Sequence, residues 1–311
     1  MSVTLSVIPS GLTAAILDGT LPIRNAELQM FEARSVDKNS RAMLGLEFDI
    51  GEMSFATFLK AREDGVPLIG LPIFTGRRFS HPCISFHRGA GISALADLSG
   101  KRVGVPQYWL TSSVWHRSLL AEYGVAPNTI EWLTTAPERS STLRLPDGVK
   151  VRQVDSDLQG LQAMLNAGEI DALLSPRPAK AADAVALPFA DIVQAQHDYF
   201  RRTAILPIMH FIVMKQSTEQ HHPGLAPELV GAFTQAKERA LAGVTTVPLE
   251  SPIHGESVAQ ARDFFGGDPW PFGIEPNERV IRHFLATARE QGLVKRRFEP
   301  QELFAASTFG S

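Results

Sequence analysis

Residues 155–174 spell out a helix followed by a buried strand, and this unit narrows the possible folds more than any other stretch of the chain. Asp155 or Asp157 is placed to cap the helix, Leu158, Leu161 and Leu165 share one face, and Gly168 supplies a left-handed stop. Ile170 to Leu174 then follows as a short apolar run, which reads as a strand covered on both faces. Such strands need helices to cover them, so an α/β architecture follows.

The same grammar recurs along the chain. Val3 to Ile8 reads as a strand, Thr13 to Leu17 as a helix start, and Glu27 to Phe31 and Phe48 to Ile50 as further strands. Leu68 to Phe74, flanked by Pro67 and containing Pro72, is expected to close the first sheet. Gly100 turns into a strand that ends at Pro106; the next helix is expected to be capped by Thr111 or Ser112, to present Trp115, Leu119 and Tyr123, and to stop at Gly124. Pro207 to Met214 reads as a strand leading out of the second lobe. Helices then dominate: one has Pro227 at its first position and Leu229, Phe233, Ala236 and Ala240 behind it, and a last one, Glu278 to Gln291, carries Val280, Ile281, Phe284, Leu285 and Ala288.

A chain of 311 residues exceeds what one small core holds, so two domains are expected. The layout is two α/β lobes with the second inserted in the first: 1–97 and 216–311 form one lobe, 98–215 the other. This is the two-lobed architecture of type II periplasmic binding proteins, in which ligands sit at the carboxyl ends of strands. A net charge of −3 with both signs interspersed argues against nucleic acid and anionic membranes as partners and leaves a small molecule. Cys83 is the only cysteine, which excludes an internal disulfide and a cysteine zinc cluster. Residues 1–10 carry neither a basic cluster nor a long apolar run, and the expected location is the cytoplasm. The sequence leaves a homo-oligomer open.

Several stretches together resemble the 4,5-dihydroxyphthalate decarboxylase family, whose members are cofactor-independent enzymes on a solute-binding scaffold. They are Asp49-Ile50-Gly51-Glu52-Met53-Ser54, Pro72 to His81, Gly100 to Tyr108, Gly168 to Leu173, Pro207-Ile208-Met209-His210 and Asp268 to Gly273. Arg78-Phe79-Ser80-His81 and Asp268-Pro269-Trp270-Pro271 are the most specific. The family usually carries a Tyr-Asp-Arg-Thr type segment after its first strand; here that place reads Ser10-Gly11-Leu12-Thr13, and only the threonine is kept.

The resemblance implies non-oxidative loss of carbon dioxide from a hydroxylated aromatic carboxylate, with no cofactor. Such chemistry needs cations for the carboxylates, a proton donor at the ring, and groups that steady the hydroxyls. Arg77, Arg78 and Arg177 are the candidates for the carboxylates, because a guanidinium donates two parallel hydrogen bonds. Ser54, Gln107, Thr111 and Ser112 lie near helix starts or strand ends where backbone amides and hydroxyls can hold an anion. His81 or His210 is the expected proton donor, with Glu52 orienting a histidine or accepting from a ring hydroxyl. Asp268 and Trp270 can wall the site, although Trp270 and Pro271 equally suit a structural turn. His254 and Glu256 are too few for a metal, and no metal site is expected. The alternative reading is a non-catalytic solute-binding or sensory protein for an aromatic or sulfonated acid.

Overall fold

The computed structural model describes residues 2–180, 182–243 and 257–310; His254 and Glu256 lie outside them. Its strands, in chain order, are β1 (Val3–Val7), β2 (Leu28–Glu32), β3 (Ile50–Ser54), β4 (Leu68–Gly70), β5 (Gly76–Arg77), β6 (Ile84–His87), β7 (Arg102–Gly104), β8 (Glu131–Thr134), β9 (Lys150–Gln153), β10 (Ala172–Leu174), β11 (Val185–Ala186) and β12 (Ile208–Lys215). They form two sheets in two compact units. No helix among the described residues is long and apolar enough to cross a membrane.

The first unit comprises Met1–Arg78, Ile208–Leu285 and Arg296–Ser311. Its sheet runs β2-β1-β3-β12-β4, with β5 also paired to β12. The β1, β2 and β3 pairings are parallel, whereas β12 returns antiparallel to β3, β4 and β5. β3 is buried along its whole length, so its side chains on both faces meet other elements. An aromatic cluster forms the core on one side: Phe211 meets Phe55 and Phe58 edge-on, each at 5.1 Å between ring centroids, and Phe55 stacks on Phe284 at 4.2 Å.

The second unit comprises Phe79–Pro207 and Ala286–Lys295, with the strand order β11-β6-β10-β7-β8-β9. Leu133, Leu161, Leu165, Ile170, Leu173 and Val185 make a buried core under its sheet. The helix-to-strand unit is as expected: Asp157 accepts from the Gly160 amide at 2.8 Å as N-cap of Leu158–Ala167, and Gly168 takes φ 74° at the stop.

Several boundaries move. The second unit begins at Phe79 rather than 98, because β6 pairs antiparallel with β10 and β11 and so belongs to that sheet. It ends at Pro207 rather than 215, since β12 is hydrogen-bonded between β3 and β4. The strand expected at Leu68–Phe74 stops at Gly70, and the one expected at Phe48–Ile50 is Ile50–Ser54. Thr111 is the first residue of the helix Thr111–Glu122 and Leu110 its N-cap, so neither Thr111 nor Ser112 caps it. Tyr123 is 38% exposed, beyond the buried stripe of Trp115 and Leu119. The helix Leu225–Ala242 starts two positions before Pro227, which occupies its first turn.

Candidate functional site

A carboxylate in the middle of a fully buried strand is costly unless it is paired and hydrogen-bonded. Glu52 on β3 is 1% exposed and meets that requirement. Its Oε1 accepts from the Thr75 hydroxyl at 2.5 Å and from Nδ1 of His210, and its Oε2 accepts from the Ile8 amide at 3.0 Å. Sheet register makes the pair. His210 stands opposite Ser54 and Ile212 opposite Glu52 on antiparallel β12 and β3, so Glu52 and His210 are diagonal neighbours on one face.

On its other side His210 faces Gly76 of β5. A Cβ at Gly76 would lie 2.0 Å from Nε2 and 2.2 Å from Cε1 of the imidazole, so the ring occupies the space a side chain would fill. Burial alone would raise the Glu52 carboxyl; the charge and hydrogen bond of His210, with Thr75 and the Ile8 amide, outweigh it and hold the group below the usual carboxylate range. The His210 side chain is a quarter exposed, and its hydrogen-bond contacts among the described residues all use Nδ1. A carboxylate on Nδ1 fixes ring orientation and presents Nε2 for proton exchange.

Thr13 serves the same corner. It is fully buried, donates its hydroxyl to the Ile8 carbonyl at 2.8 Å and accepts from the Ser10 amide at 2.8 Å. The threonine kept in the Ser10–Thr13 segment thus shapes the turn whose Ile8 amide reaches Glu52. Ser54, the N-cap of the helix Phe55–Glu63, is buried; its amide donates to Ser40 Oγ at 3.1 Å and its hydroxyl to Thr57 Oγ1 at 2.7 Å.

Arg77, Asp268 and Trp270 also belong to the first unit, and the structure bonds each of them internally. Arg77 is 2% exposed; it donates from Nη2 to the Pro271 carbonyl at 2.8 Å and to Asn277 Oδ1, and its guanidinium lies 5.2 Å from the Phe74 ring centre. Burial pushes it down to about 9, with Asp268 opposing, which leaves it cationic at neutral pH. Trp270 is 3% exposed and donates its indole N–H to the Phe74 carbonyl at 2.6 Å. Asp268 is exposed, accepts from the Trp270 amide at 2.8 Å and pairs with the buried Lys237. Arg78, half-buried, ends this unit.

Sequence reasoning passed over Lys237 and Asn277. For Lys237 a signal exists: Leu229, Phe233 and Lys237 are spaced by four, which places a lysine on the buried stripe and demands an acid partner. Asn277 gives no comparable local sign.

In the second unit, His81 is 2% exposed among Phe189, Tyr199 and Phe79, with ring centroids at 4.9, 5.4 and 6.1 Å. Its Nδ1 is buried without a hydrogen-bond partner among the described residues. Burial pushes the imidazole down to about 4, and Arg202 adds a smaller repulsion, so the ring is neutral at pH 7. Gln107 is committed through its side-chain amide to the Pro137 carbonyl, and its own carbonyl accepts from Ser113 Oγ at 2.8 Å. Thr111 and Ser112 are buried at the helix start, and Arg177 is exposed beyond β10.

Arg117 of this unit was not anticipated. It is 2% exposed, lies 3.8 Å from the Tyr108 ring centre, donates to the Tyr108 carbonyl at 2.6 Å and to Gln291 Oε1 at 2.9 Å, and is pushed down to about 10 by burial. Among the described residues no cluster of three His, Cys, Asp or Glu side chains is placed to hold a metal ion.

No family model matches the sequence. The chain is 32% identical over 285 residues to 4,5-dihydroxyphthalate decarboxylase from Comamonas testosteroni, covering 87% of this chain and 86% of that enzyme. It is 35% identical over 144 residues to 4,5-dihydroxyphthalate decarboxylase from Pseudomonas putida, covering 44% and 55%. Among solved structures it is similar to the periplasmic aliphatic sulphonate binding protein SsuA from Escherichia coli, with TM-score 0.58 at 12% identity over 100% of this chain and 94% of that one. A putative periplasmic sulfonate-binding protein from Methylobacillus flagellatus gives TM-score 0.57 at 12% identity, covering 98% and 91%. At such identities the likeness is one of fold: the two α/β units form a type II periplasmic-binding-protein fold.

Proposed function

The chain belongs to the 4,5-dihydroxyphthalate decarboxylase family, and on that premise we propose that it removes carbon dioxide from a hydroxylated aromatic carboxylate such as 4,5-dihydroxyphthalate, giving a dihydroxybenzoate. The observation that carries this reading is the buried Glu52 carboxylate holding Nδ1 of a partly exposed His210. In 4,5-dihydroxyphthalate each hydroxyl is para to a carboxylate, so its electrons can be pushed toward the carbon that bears it. His210 delivers the proton from Nε2 to that carbon. The bond to the carboxylate breaks, its electron pair returns to the ring, and carbon dioxide leaves. Glu52 keeps the ring oriented throughout and balances its positive charge before transfer.

His210 takes this part in preference to His81, because a buried imidazole lowered to about 4 holds almost no proton to give near neutral pH. For a substrate carboxylate we propose the guanidinium of Arg78, which is half-buried and follows Arg77 at the end of β5 in the same unit.

The test is carbon dioxide release over a panel of hydroxylated benzoates and phthalates. Wild-type protein should release it from at least one ortho- or para-hydroxylated acid. His210→Gln and Glu52→Gln should lower the rate on that acid by roughly 100-fold or more, the usual weight of a positioned proton donor. Binding of the acids with no release by wild-type protein would make the chain a binding or sensory protein instead.

A further inference from the structure

We propose that Trp270 and Arg77 are positioning residues for the Glu52–His210 pair, acting through the short backbone segment Phe74–Arg77 that lies against it. The inference rests on the function proposed above for that pair, and its structural basis is independent of the substrate. Thr75 donates to Glu52 and Gly76 makes room for the His210 ring, so two consecutive residues of this segment determine where both members stand. The segment has little ladder of its own: β5 is two residues long, and its pairing with β12 shifts register between Ile208 and His210. A strand this short does not hold a sub-ångström position unaided.

The loop 268–277 supplies the missing restraint at three points. The Gly273 amide donates to the Pro72 carbonyl at 2.9 Å, the Trp270 indole to the Phe74 carbonyl at 2.6 Å, and Arg77 to the Pro271 carbonyl at 2.8 Å and to Asn277 Oδ1. Asn277 closes the loop on itself by donating to the carbonyls of Gly273 at 2.7 Å and Pro271 at 3.0 Å. The loop is in turn fastened to the helix Leu225–Ala242, where the buried Lys237 donates to the Trp270 carbonyl at 3.0 Å and pairs with Asp268. A chain of hydrogen bonds therefore runs from that helix through Trp270 to Phe74, next to the threonine that touches Glu52. The Asp-Pro-Trp-Pro segment thus orients the reacting pair from behind.

The variant that isolates this role is Trp270→Phe, which keeps an aromatic ring and loses the donor to Phe74; Arg77→Lys, which keeps the charge and loses the fork, is the second. The readout is the low-field proton resonance of the His210 Nδ1–H, identified by its absence in His210→Gln and recorded well below each variant's unfolding temperature. We expect that resonance to move upfield or vanish in both variants. On an acid that the wild type decarboxylates, kcat should fall roughly 10- to 100-fold while KM stays within about twofold, as for support residues that leave binding intact. A resonance unchanged in both folded variants would overturn the proposal, whatever the activity. If wild-type protein decarboxylates none of the acids, the decarboxylase reading fails alone, and the resonance still decides whether Trp270 and Arg77 position the pair.

Discussion

His81 and His210 have opposite surroundings, and those surroundings divide their roles. His210 has a carboxylate partner and partial access to solvent, whereas His81 is enclosed by aromatic rings with a buried Nδ1 that finds no hydrogen-bond partner among the described residues. The consequence for stability has a definite sign. Between pH 6.5 and about 4 the unfolded chain protonates this histidine and the folded one does not, so stability falls as pH drops through that window. The shift corresponds to roughly 3 kcal/mol at most. His81→Phe should therefore retain turnover and, in urea unfolding, gain more over wild type at pH 5 than at pH 7. Parallel pH dependence of the two proteins would show that His81 is not the sensitive group. Glu52 acts lower on the scale, since a carboxyl held below its ordinary value contributes stability that is lost only as pH falls through its folded value.

Among the elements, β12 does the most to build the site. Its neighbours on the two sides, β3 and β5, bring Ser54 and Gly76 opposite the same histidine. Gly76 is not in the left-handed region, so what it contributes is the missing Cβ alone. Gly76→Ala should then displace the His210 ring, cost roughly 1–3 kcal/mol of stability through overcrowding, and lower carbon dioxide release to the level of His210→Gln. Circular dichroism should remain near native. Wild-type activity in this variant would mean the ring has another place to sit that still serves the reaction. The helix Leu158–Ala167 is the opposite kind of element: its cap, apolar face and stop all lie within a dozen residues, and each is where local reasoning puts it. The strands β5, β6 and β11 escaped that reasoning because they are short and take their identity from pairing partners rather than from a pattern of their own.

For the molecule as a whole, the chain leaves and re-enters each unit, and the second unit is completed by Ala286–Lys295 from near the carboxyl end. Gln291 accepts from Arg117 at 2.9 Å and donates to the Val114 carbonyl at 3.0 Å, and Leu293 and Val294 are each 2% exposed. A fragment of residues 79–207 lacks all of this. Two buried aliphatic side chains alone are worth roughly 3–6 kcal/mol, a large share of a domain's usual stability. The fragment should show a lowered or non-cooperative thermal transition, and appending 286–295 through a flexible linker should restore a cooperative one; equal transitions would show that the returning stretch adds nothing. By itself the sequence determined the α/β class, the helix capped by Asp155 or Asp157 and stopped at Gly168, and a family resemblance carried most specifically by the Arg78–His81 and Asp268–Pro271 segments. These depend on interactions spanning a few residues, or on motifs legible as written. Only the tertiary structure decided that Glu52 pairs with His210, 158 positions away, and that Arg77 joins Asn277, 200 positions away. Such pairings follow from strand register and chain return, because a buried charge takes whichever partner the folded sheet sets beside it.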